Sequence, residues 1–130
     1  MIKNLALLII VIILLECCGD KSFKQITGRY YLVNLDGGGA TTVSYKLNTG
    51  NYIGIIPEKV LAVGFDNTYI IVKQQPSSTG AKVVYFVLPI TNIDTLHPQA
   101  GLIGPLSEND FIAKKRQLNI SETFKFSIKE

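Results

Sequence analysis

The sequence has no tryptophan, a single histidine and only two cysteines, the adjacent Cys17 and Cys18. Apart from these two cysteines, the chain offers one histidine and no thiol, whereas a zinc site needs several His or Cys ligands. We therefore expect no metal and no cofactor. Neither sign of charge is in large excess. The 13 basic and 10 acidic residues give a net charge of +3, without the clustered basicity of nucleic-acid-binding proteins. We therefore expect no nucleic-acid partner.

No apolar run in the sequence is long enough to span a bilayer. The longest, residues 5–15, follows the single cation Lys3. It has about eleven residues, whereas a membrane-spanning helix needs about 20. A short apolar run behind a positive charge is typical of a signal peptide, which we predict over residues 1–17.

The sequence LLECCG around the two cysteines resembles a lipobox, the site at which bacterial lipoprotein signal peptidase cleaves before a cysteine that is then lipidated. Cleavage before Cys18 places the small Cys17 next to the cut and Leu15 in the usual leucine position. Cleavage before Cys17 would place the charged Glu16 in a small subsite, which is unfavourable. We predict that Cys18 carries the lipid, whose acyl chains include palmitate. This lipid would hold the protein on the extracytoplasmic side of the cell membrane or outer membrane.

Short strand patterns separated by turn signals begin after a predicted lipidated tether, residues 18–25. In the first hairpin, alternating residues are expected to share one face of each strand: Tyr31, Val33 and Leu35, then Val43, Tyr45 and Leu47. Residues 60–65 and 68–73 are apolar on both faces, which predicts central strands. Residues 82–88 predict another buried strand. Residues 124–128 alternate again and predict a last strand.

One helix is predicted after residue 106. Ser107 is a suitable N-cap with Asp110 three residues on, and basic side chains in the last turn suit the helix dipole. We expect the helix to end near Leu118, to bury Phe111 and Leu118, and to expose Lys114. The predicted fold is α+β: one domain, residues 26–130, with an antiparallel sheet of about six or seven short strands and this helix packed on it.

Three segments follow one another in the order IIPEKVLAVGFDNTYIIVKQQP, VVYFVLPI and IGPLSENDFIAKKRQLNI. In this order they resemble a family of small bacterial lipoproteins classed only as a domain of unknown function. The resemblance covers about residues 27–120. Because no activity is established for the family, the resemblance assigns no catalytic or ligand-binding residue.

Residues with possible chemistry have simpler structural explanations. His97 lies near Asp94 in the irregular segment 91–105, and a general base would also need a nucleophile and an orienting acid. A small envelope hydrolase would have to assemble its site from residues such as Asp94, Asp66 and Ser107. We predict no catalytic residue and no enzyme activity.

Two surfaces could bind a partner. The basic residues 114–116 either complement the helix dipole or contact anionic headgroups or an acidic partner. The tyrosines, among them Tyr30, Tyr31 and Tyr52, are either ordinary strand residues or a glycan-stacking surface.

The sequence predicts a membrane-anchored, non-enzymatic domain that binds a component of the cell envelope. An envelope protein is one candidate partner. The alternative is a periplasmic inhibitor or immunity-type lipoprotein that blocks an enzyme. The long irregular segment 91–105 would be its inserting element, because long loops in compact domains are often functional.

Overall fold

The computed structural model describes residues 21–35, 40–77 and 80–129. The predicted signal peptide and the lipidation site at Cys18 lie outside the described residues. The described ranges contain nine strands and one helix. In chain order these are β1 Ser22–Thr27, β2 Tyr30–Asn34, β3 Thr42–Lys46, β4 Tyr52–Ile56, β5 Val60–Phe65, β6 Tyr69–Gln74, β7 Val84–Pro89, β8 Ile103–Leu106, α1 Glu108–Gln117 and β9 Ile128–Lys129.

The strands form two antiparallel sheets that pack face to face. One sheet has the order β1-β2-β3-β4 and the other the order β8-β7-β6-β5-β9. Their inner faces meet in one hydrophobic core, to which both sheets contribute: Tyr30, Leu32, Val43, Tyr45 and Ile56 from the first, and Val60, Val63, Ile70, Val72, Phe86 and Leu88 from the second. This core joins the two sheets into a sandwich.

The outer face of the five-stranded sheet is covered as well. Helix α1 and the chain after it pack Phe111 and Ile120 against Ile71 and Val87. The middle of the sheet is therefore buried on both faces, which explains why β5 and β7 and the first four residues of β6 are apolar. The prediction that β5 and β6 are central is confirmed.

The fold is mostly β, and the prediction of one sheet with six or seven strands is wrong. Sequence periodicity identifies strands, but it does not say which strands share a sheet. The expected tether is also wrong in part, because residues 22–25 form most of β1. This edge strand is exposed from Ser22 to Gln25, and an exposed strand can have the polar composition of a linker.

The first hairpin forms, and Tyr31 and Val33 share one face of β2 as predicted, but the opposite face enters the core. Tyr30 and Leu32 point into the core opposite Tyr45 and Val43, whereas Leu35 is 60% exposed. A shift of one residue exchanges the two faces of a strand. The adjacent tyrosines at the start of β2 make both choices plausible from sequence alone.

Helix α1 forms where predicted. The Ser107 side chain accepts a hydrogen bond from the Asp110 amide at 3.2 Å, as expected of the N-cap. Phe111 is buried, but Leu118 is only half-buried because it is the C-cap residue beyond the last helical turn. Lys114 is partly buried rather than exposed, and its Nζ donates to Gln117 Oε1 at 2.7 Å.

Candidate functional site: an anchored apolar loop

The connection between β7 and β8, residues 90–102, presents two large apolar side chains to solvent. Ile93 is 75% exposed and Leu96 is 70% exposed, the two highest values among large apolar side chains in the described ranges. We call residues 91–102 the apolar loop. It occupies most of the segment that the sequence marked as irregular and long.

Two buried tyrosines of the core hold the start of the apolar loop. Tyr30 and Tyr45 face each other across β2 and β3, with their rings edge to face and their centroids 5.1 Å apart. The Tyr45 hydroxyl donates a hydrogen bond to the carbonyl oxygen of Ile93. The Tyr30 hydroxyl accepts one from the Thr91 amide at 3.0 Å. Both rings are fully buried, so the hydroxyls are fixed points at the edge of the core.

Burial changes the acidity of both phenols. It raises the pKa of Tyr30 above its ordinary value of 10.0, partly offset by the hydrogen bond from Thr91. Burial also raises the pKa of Tyr45, while the nearby Arg29 charge opposes the rise. Both phenols therefore stay protonated at neutral pH, and the Tyr45 hydroxyl keeps the proton that it donates to the loop.

An ion pair holds the middle of the apolar loop. Arg29 lies 3.4 Å from Asp94, and the same carboxylate oxygen accepts a hydrogen bond from the Asn48 amide at 3.1 Å. Arg29 also donates to the Asn48 side chain at 2.7 Å. A half-exposed pair of this kind contributes at most about 1 kcal/mol. Its main effect is to fix Asp94 against the turn between β3 and β4.

Short-range hydrogen bonds stiffen the loop further. The side chains of Thr91 and Thr95 each accept a bond from the amide two residues on, at Ile93 and His97. Such turns are a local property of Thr. The amide of residue 100 then donates to the His97 carbonyl at 3.1 Å. The loop that carries Ile93 and Leu96 is thus held in one conformation by its own turns and by the core.

The residues considered for a hydrolase do not form a common site in the described chain. His97 lines a shallow concavity of about 250 Å³ beside the loop, but Asp94, Asp66 and Ser107 are not part of that lining. Asp66 accepts the amides of Thr68 and residue 69 at 2.7 Å in the turn between β5 and β6. Ser107 caps the helix, and Asp94 pairs with Arg29. In the described ranges no group of three or more His, Cys, Asp or Glu could hold a metal ion.

The tyrosines considered for glycan stacking are divided between two environments. Tyr30 is in the core, whereas Tyr31 and Tyr52 pack edge to face on the outer side of the four-stranded sheet, 5.5 Å between centroids. Phe23 joins them at 5.0 Å from Tyr52, and Lys46 lies over both tyrosine rings. Sequence reasoning missed Phe23 because it fell in the expected tether.

The basic residues 114–116 are also divided. Lys115 lines an open groove of about 590 Å³ with three more lysines, Lys73, Lys125 and Lys129. We call this the lysine groove. Arg116 instead lies 3.6 Å from Glu122. No local sequence pattern indicates this cluster, because its lysines come from separate parts of the chain.

Fold and loop together define a small sandwich of two antiparallel sheets, covered on one side by a helix and presenting a fixed apolar loop at one end. The chain belongs to the family described as protein of unknown function (DUF3997), which matches residues 27–129. The expected membership in a family of unknown function is confirmed. No curated protein and no solved structure matches the chain. In the described part of the chain, no helix is long and apolar enough to cross a membrane.

Proposed function

We propose that this protein is a membrane-anchored lipoprotein whose domain binds a protein partner in the cell envelope through the apolar loop, without a catalytic step of its own. The observation that supports this is the pair Ile93 and Leu96, exposed on a loop that the core holds in place. Binding energy at protein interfaces is concentrated in a few anchor side chains. A loop already fixed in one conformation loses little entropy on binding.

The charges of the loop favour a protein partner over a bilayer. Residues 90–106 contain Asp94 and no lysine or arginine. Segments that insert into anionic membranes usually carry cations beside their apolar side chains. A loop whose one carboxylate is turned toward Arg29 is better suited to an apolar pocket in a protein.

The position of the loop is consistent with a lipid anchor at Cys18. Strand β1 begins at Ser22, paired with Asn34, and ends at Thr27, paired with Tyr30. Since Tyr30 holds the apolar loop, the chain enters the sandwich at the end opposite to the loop. A lipid at Cys18 would leave the apolar loop facing away from the membrane, where a partner can reach it.

An inhibitor that inserts the loop into an enzyme is the second candidate. It is favoured by the hydrogen bonds on both sides of Ile93, whose carbonyl is held by Tyr45 and whose amide is held by Thr91. Inhibitory complexes typically form with little backbone movement in the binding loop. The two candidates share one interface and differ in the partner.

The anchor is tested by expressing Cys17→Ser and Cys18→Ser separately in bacteria supplied with a labelled fatty acid. We expect Cys18→Ser to lose the label and Cys17→Ser to keep it. Intact mass gives the start of the mature chain. A labelled Cys18→Ser protein would show that the proposed lipidation site is wrong.

The interface is tested by placing a photo-crosslinking amino acid at Leu96 in the lipidated protein and irradiating intact cells. We expect one crosslinked protein in stoichiometric yield. In the variant Ile93→Ser/Leu96→Ser, the crosslinking amino acid is placed at residue 95 instead, and we expect the crosslinked product to be lost. Leu35→Ser is the matched control, because Leu35 is also exposed but lies at the other end of the sandwich. A hydrolase as the partner favours the inhibitor. Equal capture by the double variant would exclude the loop as the interface.

A further inference from the structure

The lysine groove holds the whole charge excess of the chain. Its lining includes four lysines and one acidic residue, Glu122. The full chain has 13 basic and 10 acidic residues, so removing the groove leaves nine of each. The remainder of the protein is formally neutral. The groove therefore carries a formal charge of +3, equal to the net charge of the whole chain.

The sheet arranges two of these lysines in a row. Lys73 on β6 and Lys129 on β9 both pair with Ala62 on β5, so the three side chains share the outer face of the sheet. Neighbouring strands lie about 4.8 Å apart, which places the two lysine backbones about 10 Å from each other. The small Ala62 between them is buried and forms part of the lining of the groove.

The other two lysines come from the layer that covers the sheet. Lys115 at the end of α1 lies over the Phe111 ring, with Nζ 4.8 Å from the centroid. Lys125 is on the segment that crosses β5, where its carbonyl oxygen approaches Gly64 too closely for any side chain there. Phe124 and Phe126 supply apolar surface between the cations. Glu122, the acidic residue of the lining, lies 3.6 Å from Arg116, which is outside the lining.

The lysine groove lies at the end of the sandwich where the chain enters. Ser22, the first residue of β1, pairs with Asn34, which donates to the Thr41 hydroxyl at 3.5 Å. The Thr41 carbonyl accepts the amide of Val60 at 2.9 Å. Val60 begins β5 and precedes Leu61 and Ala62, both in the lining of the groove.

We propose that the lysine groove contacts the phosphate headgroups of anionic phospholipids in the membrane to which the protein is anchored. The inference rests on the proposed lipid anchor. Ser22 follows Cys18 by about four residues, and an extended chain of that length spans at most about 14 Å. An anchor so close to the fold would hold this end of the sandwich at the bilayer surface, within the range in which lysines are attracted by anionic lipids. The groove would then set the orientation of the domain.

The test uses the lipidated protein reconstituted into vesicles of phosphatidylcholine alone or mixed with phosphatidylglycerol. The rate at which an amine reagent acetylates each lysine is followed by mass spectrometry. We expect Lys125 and Lys129 to react about fivefold more slowly on the anionic vesicles, the factor that one lysine contributes at such a surface. Lys46 is the internal control, since it lies beside Arg29 at the loop end. High salt should remove the difference.

A pair of variants separates the groove from charge in general. Lys115, which lines the same groove, should also react more slowly on anionic vesicles, and Lys125→Gln/Lys129→Gln should abolish that slowing. Lys24→Gln/Lys82→Gln removes the same charge from two exposed lysines outside the groove and should preserve it. Both pairs are exposed, so neither is expected to unfold the domain.

Two results would overturn the inference: equal acetylation of Lys125 and Lys129 on both vesicles, or equal slowing of Lys46. Flotation with phosphatidylcholine vesicles reports the anchor separately, because it does not depend on lysines. A protein that floats but shows no protection retains its anchor and lacks the headgroup contact. One that fails to float, yet is protected on anionic vesicles, has the contact without the proposed anchor.

Discussion

Removing one hydroxyl group should loosen the apolar loop while leaving the core intact. In Tyr45→Phe the ring stays in place and keeps its edge-to-face packing against Tyr30, so no cavity forms. The substitution removes only the hydrogen bond that the hydroxyl donates to the Ile93 carbonyl. A single hydrogen bond of this kind contributes about 1 kcal/mol to stability. Because Ile93 is exposed, water can reach its carbonyl, and we expect no additional penalty for an unpaired buried group.

The loss should be local, which decides the choice of assay. A change of about 1 kcal/mol in the opening of the loop corresponds to an approximately fivefold faster hydrogen exchange of its amides. We expect this increase at Ile93 and Asp94, whereas the amides of the Asp66 turn between β5 and β6, which open independently of the loop, should not change. Urea unfolding should show a loss of about 1 kcal/mol in the free energy of unfolding.

Tyr31→Phe is the matched control. Tyr31 precedes Leu32 on the same strand, lies on the outer face, and its hydroxyl makes no hydrogen bond among those of the described residues. It should leave the loop exchange rates unchanged. If Tyr45→Phe also leaves them unchanged, or if it accelerates exchange equally in the loop and in the Asp66 turn, then the hydroxyl does not fix the loop and the argument for a preorganised binding element fails.

Three further predictions concern the rest of the fold. Gly64→Ala should lower the free energy of unfolding in urea by about 1–3 kcal/mol, since the added methyl group would collide with the Lys125 carbonyl. Gly54→Ala is the control, because a methyl group there would meet no atom within 4 Å, and it should be neutral or slightly stabilising. Ser107→Ala should lower stability by about 1 kcal/mol through loss of the N-cap, and Ser107→Asp should retain most of it; equal losses would argue against the cap. Stability should hold up to about pH 10, where tyrosines of the unfolded chain ionise, and fall above it because burial raises the pKa of Tyr45 in the fold. Circular dichroism against pH should show a smaller alkaline loss in Tyr45→Phe.

The sequence predicted those elements whose signals are local. Helix α1 was placed by its cap and charges, and β5 and β6 by apolar runs on either side of the Asp66 turn. The face of β2 that enters the core could not be predicted, because Tyr30 and Tyr31 are both apolar enough to be buried. Only the pairing of Tyr30 with Tyr45 decides between them, and this pairing involves another strand.

The candidate site could be located from sequence but not characterised. Loss of periodicity after residue 90 marked the apolar loop as irregular. Its attachment depends on partners 48 and 61 residues away, at Tyr45 and Tyr30, and no local pattern indicates them. The lysine groove could not be predicted from the sequence for the same reason. Lys73 and Lys129 come close together only when β6 and β9 both pair with β5.

The covering of the five-stranded sheet has a consequence for how the chain reaches its folded state. Strands β5, β6 and β7 are complete by residue 89, but the side chains that cover their outer face, Phe111 and Ile120 among them, are synthesised later. Until then Ile71 and Val87 lie on an unprotected apolar sheet. Sheets with exposed apolar surface associate readily with one another. A chain that ends before Phe111 would therefore aggregate even with every strand of the first sheet in place, and the last quarter of the sequence acts as the solubilising cover of the whole domain.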